Sequence, residues 1–258
     1  MPFFDSHCHL NHPDFAPDAE AVWETSRAQG VDTAIVIGYN LASSHHAVEL
    51  AERLPGLYAS VGLSPHDIRT APSTYLSQLQ SLAIHPKVAA IGETGLEYNY
   101  DVGPKDLQQG IFQDQIHLAN ELGKPVVIHL RDADQDFLSL LDSTPPQAAI
   151  LHCFTASIEV MQVCVQRGYA ISLSGIVTFK NAKSIHAIVP HIPEECLLIE
   201  TDAPYLAPIP YRGKRCKPWM IEKTAAVVAQ LREQSVDAIM QITHQNATRI
   251  FQLSTLGS

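Results

Sequence analysis

No part of this chain has the composition of a membrane span. Every apolar run falls short of the roughly 18 residues needed to cross a bilayer, and the opening Met1-Pro2-Phe3-Phe4-Asp5 has no basic segment leading into an apolar stretch. A soluble, cytoplasmic protein with no membrane partner is the expectation. Cysteine is scarce: five residues, at 8, 153, 164, 196 and 216, show no CxxC spacing. That argues against a disulfide framework and a thiolate zinc site, and makes them reduced packing residues. Glycine-rich phosphate loops are missing, with neither GxGxxG nor GxxxxGK(S/T) present, so no nucleotide cofactor is expected. Positive charge is also short. Seventeen basic against twenty-seven acidic residues leave a net charge of −10, which speaks against a protein that coats nucleic acid through a broad basic face. A local site stays open, because bound divalent cations reverse the potential inside a pocket.

What is present is a rhythm. With 46% apolar residues in 258, the chain can bury one large core, and a single domain over 1–258 is expected. Eight strand-like apolar runs alternate with segments of helical periodicity. The runs are Phe3 to His9, Asp32 to Gly38, Leu57 to Gly62, Lys87 to Glu93, Pro125 to His129, Ala148 to His152, Tyr169 to Ser174 and Cys196 to Asp202. Eight βα units in about 250 residues are the dimensions of a (β/α)8 TIM barrel, an α/β fold that carries its chemistry at the C-terminal ends of the strands. An open doubly wound sheet is the alternative, but the first β-to-α turn, His9-Leu10-Asn11-His12-Pro13, has no phosphate cradle. A closing helix near Val236 to Phe251 packs on the barrel or serves a partner interface.

Metal-capable side chains stand where those runs end. In Asp5-Ser6-His7-Cys8-His9, residues i and i+2 share one side of a strand, so His7 and His9 reach the same ion while Cys8 faces away. Solvated histidines at a strand end are the plain alternative. Glu93 follows a run buried on both faces and needs a partner to offset its desolvation, either a cation or a buried arginine. Its two oxygens suit it to bridging two metals, with glycines on either side leaving room for metal and substrate. His129 and His152 end the fifth and sixth runs, and Asp202 ends the eighth, next to the first in a closed barrel. Asp202 can ligate a metal and take the proton of a bound water. Glu200 points one layer deeper, behind the ligands or in a purely structural hydrogen bond.

These motifs, in order, resemble the TatD family of metal-dependent hydrolases, within the amidohydrolase-like barrels, over essentially the full chain. The resemblance rests on Asp5-Ser6-His7-Cys8-His9-Leu10, Gly92 to Tyr98, His152-Cys153-Phe154, Glu200-Thr201-Asp202-Ala203-Pro204-Tyr205-Leu206, Arg212-Gly-Lys-Arg and Asn246-Ala247. It implies that His7, His9, Glu93 and Asp202 surround one metal and that Glu93, His129 and His152 surround a second, with Glu93 and Asp202 catalytic. Three positions depart from the family pattern: Glu97 for aspartate, Ser64 for the first histidine of His-Pro-His, and Cys216 for asparagine.

The resemblance implies a phosphodiesterase, a deoxyribonuclease, acting through water activated by two divalent cations, whether zinc, manganese, magnesium or nickel. DNA is the expected substrate and a monomer the expected state. Arg212 and Lys214 lie in the loop after strand eight, where they contact backbone phosphates or are simply solvated, and His66 follows strand three at the same rim. Tyr205, Tyr211 and Trp219 stack on an unpaired base or pack internally. The competing reaction class is a small-molecule amidohydrolase cleaving an amide, lactone or other acyl bond with the same metals. It would need a closed pocket with a lid, for which the short β-to-α segments leave little material.

Overall fold

Apolar residues at alternate positions build the strands, and apolar stripes at three- and four-residue spacing build the helices that cover them. The computed structural model describes residues 1–253, so the last five residues of the expected 1–258 domain lie outside the description. The chain order is β1 (Phe3–Cys8), α1 (Ala19–Ala28), β2 (Val31–Ile37), α2 (Leu41–Arg53), β3 (Leu57–Val61), α3 (Tyr75–Ala83), β4 (Val88–Glu97) and α4 (Lys105–Leu122). It continues with β5 (Val126–Arg131), α5 (Asp134–Ser143), β6 (Ala149–Leu151), α6 (Ile158–Gln166), β7 (Ala170–Leu173), α7 (Lys183–Ile188), β8 (Leu197–Ile199), α8 (Ile221–Leu231) and α9 (Val236–Ile250). The strands pair in parallel in the order β1 to β8. The two edges meet where the Asp202 N–H donates to His7 O at 2.9 Å and the His9 N–H donates to Ala203 O at 2.7 Å. This is the expected (β/α)8 barrel.

Strand alternation separates two apolar layers. Phe4, Ile35, Ile37, Ala89, Val127, Ile150, Ala170 and Leu198 fill the barrel interior, while their neighbours Ala34, Val36, Val126 and Ile128 face the helices. Ala247, Ile250 and Phe251 of the closing helix join the interior cluster, with Phe251 stacked on Phe4 at 5.9 Å between ring centroids. That settles the role of α9: it plugs the N-terminal end of the barrel and leaves the C-terminal end open. No helix of the described residues is long and apolar enough to cross a membrane. All five cysteines are unpaired, four of them buried.

Strand β4 runs four residues beyond the expected end at Glu93. Its register against β5 shifts between Ile91 and Thr94 and then resumes through Glu97, which pairs with Arg131. The glycines flanking Glu93 serve this pairing rather than metal or substrate. A Cβ on Gly92 would lie 2.5 Å from Val127 O, and one on Gly95 would lie 2.0 Å from His129 O. Strands β6 and β8 are shorter than their apolar runs, so His152 and Asp202 sit just past the last paired residues, Leu151 and Ile199.

Candidate metal centre

The open end of the barrel collects the six predicted donors. His7 and His9 leave the same face of β1 and bring their Nε2 atoms to 3.1 Å, whereas Cys8 turns away and points its Sγ at Ile35 O. Asp202 Oδ1 lies 3.5 Å from His7 Nε2 and 3.3 Å from His9 Nε2. Glu93 presents its two oxygens to different neighbours. Oε2 lies 3.7 Å from His7 Nε2 and 3.8 Å from His9 Nε2. Oε1 lies 3.1 Å from His129 Nδ1 and 3.4 Å from His152 Nε2. The donors therefore fall into two sets that share one carboxylate.

These separations fit metal binding. Donors held about 2.1 Å from a cation stand about 3 to 3.4 Å apart along the edge of an octahedron or tetrahedron. The two sets are within a few tenths of an ångström of that. The chemistry of the set, four imidazoles and two carboxylates with no thiolate, suits a first-row divalent ion.

The electrostatics point the same way. Burial opposes ionisation of Glu93, yet His152 and His129 hold its carboxyl well below the usual range. Burial also opposes protonation of His152, but Glu93 and Glu200 carry its pKa well above the usual value. His129 is raised against burial by Glu93 and Glu97, and His9 against burial by Asp202. Burial drives His7 down, helped by the histidines around it. The carboxylates thus demand positive charge at the cavity, which protons or metal cations can supply.

Supporting carboxylates sit behind the donors. Glu200 is fully buried; its Oε1 accepts the Cys153 N–H at 2.7 Å and lies 3.4 Å from His152 Nδ1. Of its two expected roles, this geometry favours orienting His152. Glu97 stands out in the sequence only as a departure, but its Oε1 accepts the N–H groups of Asn99 at 2.7 Å and Tyr100 at 3.1 Å. Its Oε2 lies 3.2 Å from His129 Nε2 and 3.6 Å from His66 Nε2. His66, Glu97 and His129 thus form a further group close enough to hold a cation. A neutral imidazole has one lone pair, however. With Nδ1 of His129 turned to Glu93, a proton on Nε2 shared with Glu97 is the better assignment. Earlier on β1, Asp5 is buried and accepts the Thr201 N–H at 2.9 Å. Burial pushes its carboxyl up to about 8.

A cavity of about 340 Å³ opens over the donors, lined by His9, Glu93, His129, His152 and Asp202 and rimmed by Tyr39, Ser64, His66, Asp67 and Tyr205. His66 and Ser64 are therefore at the site. Tyr39, just past the end of β2, and Asp67 escape the sequence reading; asking which polar residue follows each strand finds Tyr39. Arg212 and Lys214 are not brought to this cavity. Arg212 lies 3.9 Å over the Phe179 ring and Lys214 is 5.9 Å from the Tyr211 ring, while the adjacent Arg215 is paired with Asp18 at 2.6 Å. Arg212 and Lys214 are exposed, and the chain turns inward only at the buried Cys216, whose Sγ faces Thr201 O. Tyr211 and Trp219 pack edge-to-face at 5.2 Å; of the three aromatics only Tyr205 lines the cavity.

Comparison with known proteins matches this geometry. The family model described as TatD related DNase matches residues 4–252. An uncharacterized metal-dependent hydrolase of Bacillus subtilis, YabD, is 40% identical over 253 residues, covering 97% of this chain and 99% of its own. A 3'-5' ssDNA/RNA exonuclease TatD of Musicola paradisiaca is 34% identical over 264 residues, covering 98% and 99%. Among solved structures, the TatD homologue YjjV of Escherichia coli superposes with a TM-score of 0.92 at 30% identity, over 98% of each chain.

Proposed function

The chain belongs to the TatD-related DNases, and from that premise we propose that it is a phosphodiesterase that releases nucleotides from single-stranded DNA or RNA with two divalent cations. The observation that carries this reading is Glu93, one carboxylate whose two oxygens face two separate donor sets. His7, His9, Asp202 and Glu93 would hold one cation, and His129, His152 and Glu93 would hold the other. Bound there, such a pair would supply Lewis acidity to the phosphoryl oxygens and would acidify the attacking water. Zinc, manganese, magnesium and nickel are the candidate ions, given imidazoles mixed with carboxylates.

The chain's own groups do the rest. Asp202 stands at the cavity wall and accepts the proton of the attacking water. His66, half-exposed at the cavity rim beside Glu97, donates a hydrogen bond to a phosphoryl oxygen in this reading. Tyr205, 48% exposed at the rim, offers a ring face to an unpaired base. The relative named as a single-strand exonuclease supports the choice of substrate. So does the cavity: 340 Å³ is at the small end of ligand sites and takes one nucleotidyl unit, not a duplex.

The test is nucleotide release from single-stranded DNA by metal-stripped protein resupplied separately with magnesium, manganese or zinc, beside Asp202→Asn. Metal-dependent release that falls by roughly 10²- to 10⁴-fold in kcat in the variant, with circular dichroism unchanged, is expected. No release with any metal, despite about two bound ions per chain, would move the assignment to a small-molecule hydrolase with the same donors.

A further inference from the structure

Beside the metal cavity lies a larger groove of about 940 Å³, formed by the end of β5, the start of α5 and the segments that follow β6 and β7, with Leu206 after β8. Arg131 ends β5, two residues beyond His129, so its side chain leaves the strand on the same face. At the strand rise it stands about 7 Å further out along the barrel axis. It lines the groove, not the cavity. Its guanidinium forms no ion pair with any described residue, unlike Arg69, Arg167 and Arg215, each of which is paired with an aspartate. Lys105 lines the same groove, its ammonium 4.0 Å from the Tyr98 ring. Phe179 forms part of another wall and carries the guanidinium of Arg212 on its ring face.

The groove also contains carboxylates, and most are engaged. Asp134 accepts the Ser157 N–H at the start of α6, at 3.1 Å. Asp136 accepts from Tyr98 Oη at 2.8 Å and from Gln109 at 3.0 Å. Asp132 is exposed to solvent, where water screens it from a phosphate. Of the cations that line the groove, Arg131 is therefore the one placed on a metal-bearing strand, one arginine length from the cavity and with its donors free of any carboxylate among the described residues.

We propose that this groove is the track of the single strand beyond the scissile bond, and that Arg131 grips the backbone phosphate next to the one being cleaved. The inference rests on the phosphodiesterase reading and adds the strand's direction of exit, over the segments that follow β5, β6 and β7, with Leu206 and the Phe179-stacked Arg212 at the groove's far wall. A guanidinium binds a phosphate through two parallel N–H donors, so the interaction strengthens binding without taking part in bond cleavage.

The experiment compares wild type, Arg131→Ala and Arg131→Lys on oligodeoxythymidylates of two, four and twelve nucleotides with manganese, at several salt concentrations. For wild type, KM falls from the dinucleotide to the longer strands. In Arg131→Ala, KM for the dodecamer rises about 10- to 100-fold with kcat within threefold, and the gain with length shrinks. The salt slope drops by about 0.7, the increment for one phosphate of a single strand that is no longer neutralised. Arg131→Lys recovers part of the KM. The proposal is overturned if Arg131→Ala keeps the wild-type length dependence, or if kcat falls while KM holds. If wild type itself cleaves none of these strands and does not bind a fluorescent dodecamer, the phosphodiesterase reading fails and this one with it. Cleavage by wild type with no effect of the variant overturns the groove alone.

Discussion

At the scale of single residues, the site is organised by carboxylates that face histidines. Glu93 divides its oxygens between two imidazole pairs, and Glu97 and Glu200 back the histidines of one pair, His129 and His152. Burial opposes the charge on Glu97, but the His129 interaction and the N–H groups of Asn99 and Tyr100 hold its pKa below the usual value. An ionised Glu97 accepts the Nε2 proton of His129 and leaves Nδ1 for a metal. Glu97→Gln keeps the shape and removes the charge, so a 10- to 100-fold loss of affinity for the weaker-bound ion is expected, by isothermal titration of metal-stripped protein. Unchanged affinity would leave Glu97 as a scaffold for the turn at Asn99. That these six candidate donors come together was readable in the sequence, because each ends an apolar run in a fold that gathers strand ends on one rim. That Arg212 and Lys214 stay off the metal cavity was not legible, because a run of charges says nothing about which way its loop folds.

At the scale of elements, β4 carries the most consequential geometry. It brings Glu93 to the centre of the site and then resumes its pairing with β5 through Glu97, which places Glu97 beside His129. This close approach requires Gly95, which has φ of +138° and whose missing Cβ would overlap the His129 carbonyl oxygen. The atoms it would meet are backbone, so they cannot yield cheaply. Gly95→Ala is expected to cost on the order of 3 kcal/mol or more in urea unfolding and to weaken metal binding together with stability. A variant as stable as wild type would show that the two strands can separate without disturbing the site. The eight strands and the helices between them were legible from periodicity alone. The register shift in β4 was not, because register belongs to a pair of strands and the glycines that permit it look, in one sequence, like room for a ligand.

At the scale of the whole molecule, a protein of net charge −10 concentrates buried carboxylates at one open end, and its stability should report what neutralises them. His129 and His152 have pKa values raised in the folded protein by facing carboxylates, after burial has opposed it. The stability they contribute is fully present below their unfolded pKa of about 6.5 and is lost as pH rises through the raised folded values. Glu93 is depressed, so its contribution is present above an unfolded value of about 4.3 and is lost only as pH falls through the folded one. Without metal, the melting temperature should therefore decline as pH is raised from about 6 to about 9. Divalent cations compete with the same protons, so their affinity should rise by up to tenfold per pH unit for each proton displaced. That adds up to about 1.4 kcal/mol, or roughly 2–4 °C, per unit for a chain of this size. Melting curves across this range, with chelator and with saturating manganese, should diverge as pH increases. Parallel curves would mean that the histidines are not the groups the metal displaces protons from, and a chelator that changed nothing would remove the metal centre from the account of stability altogether.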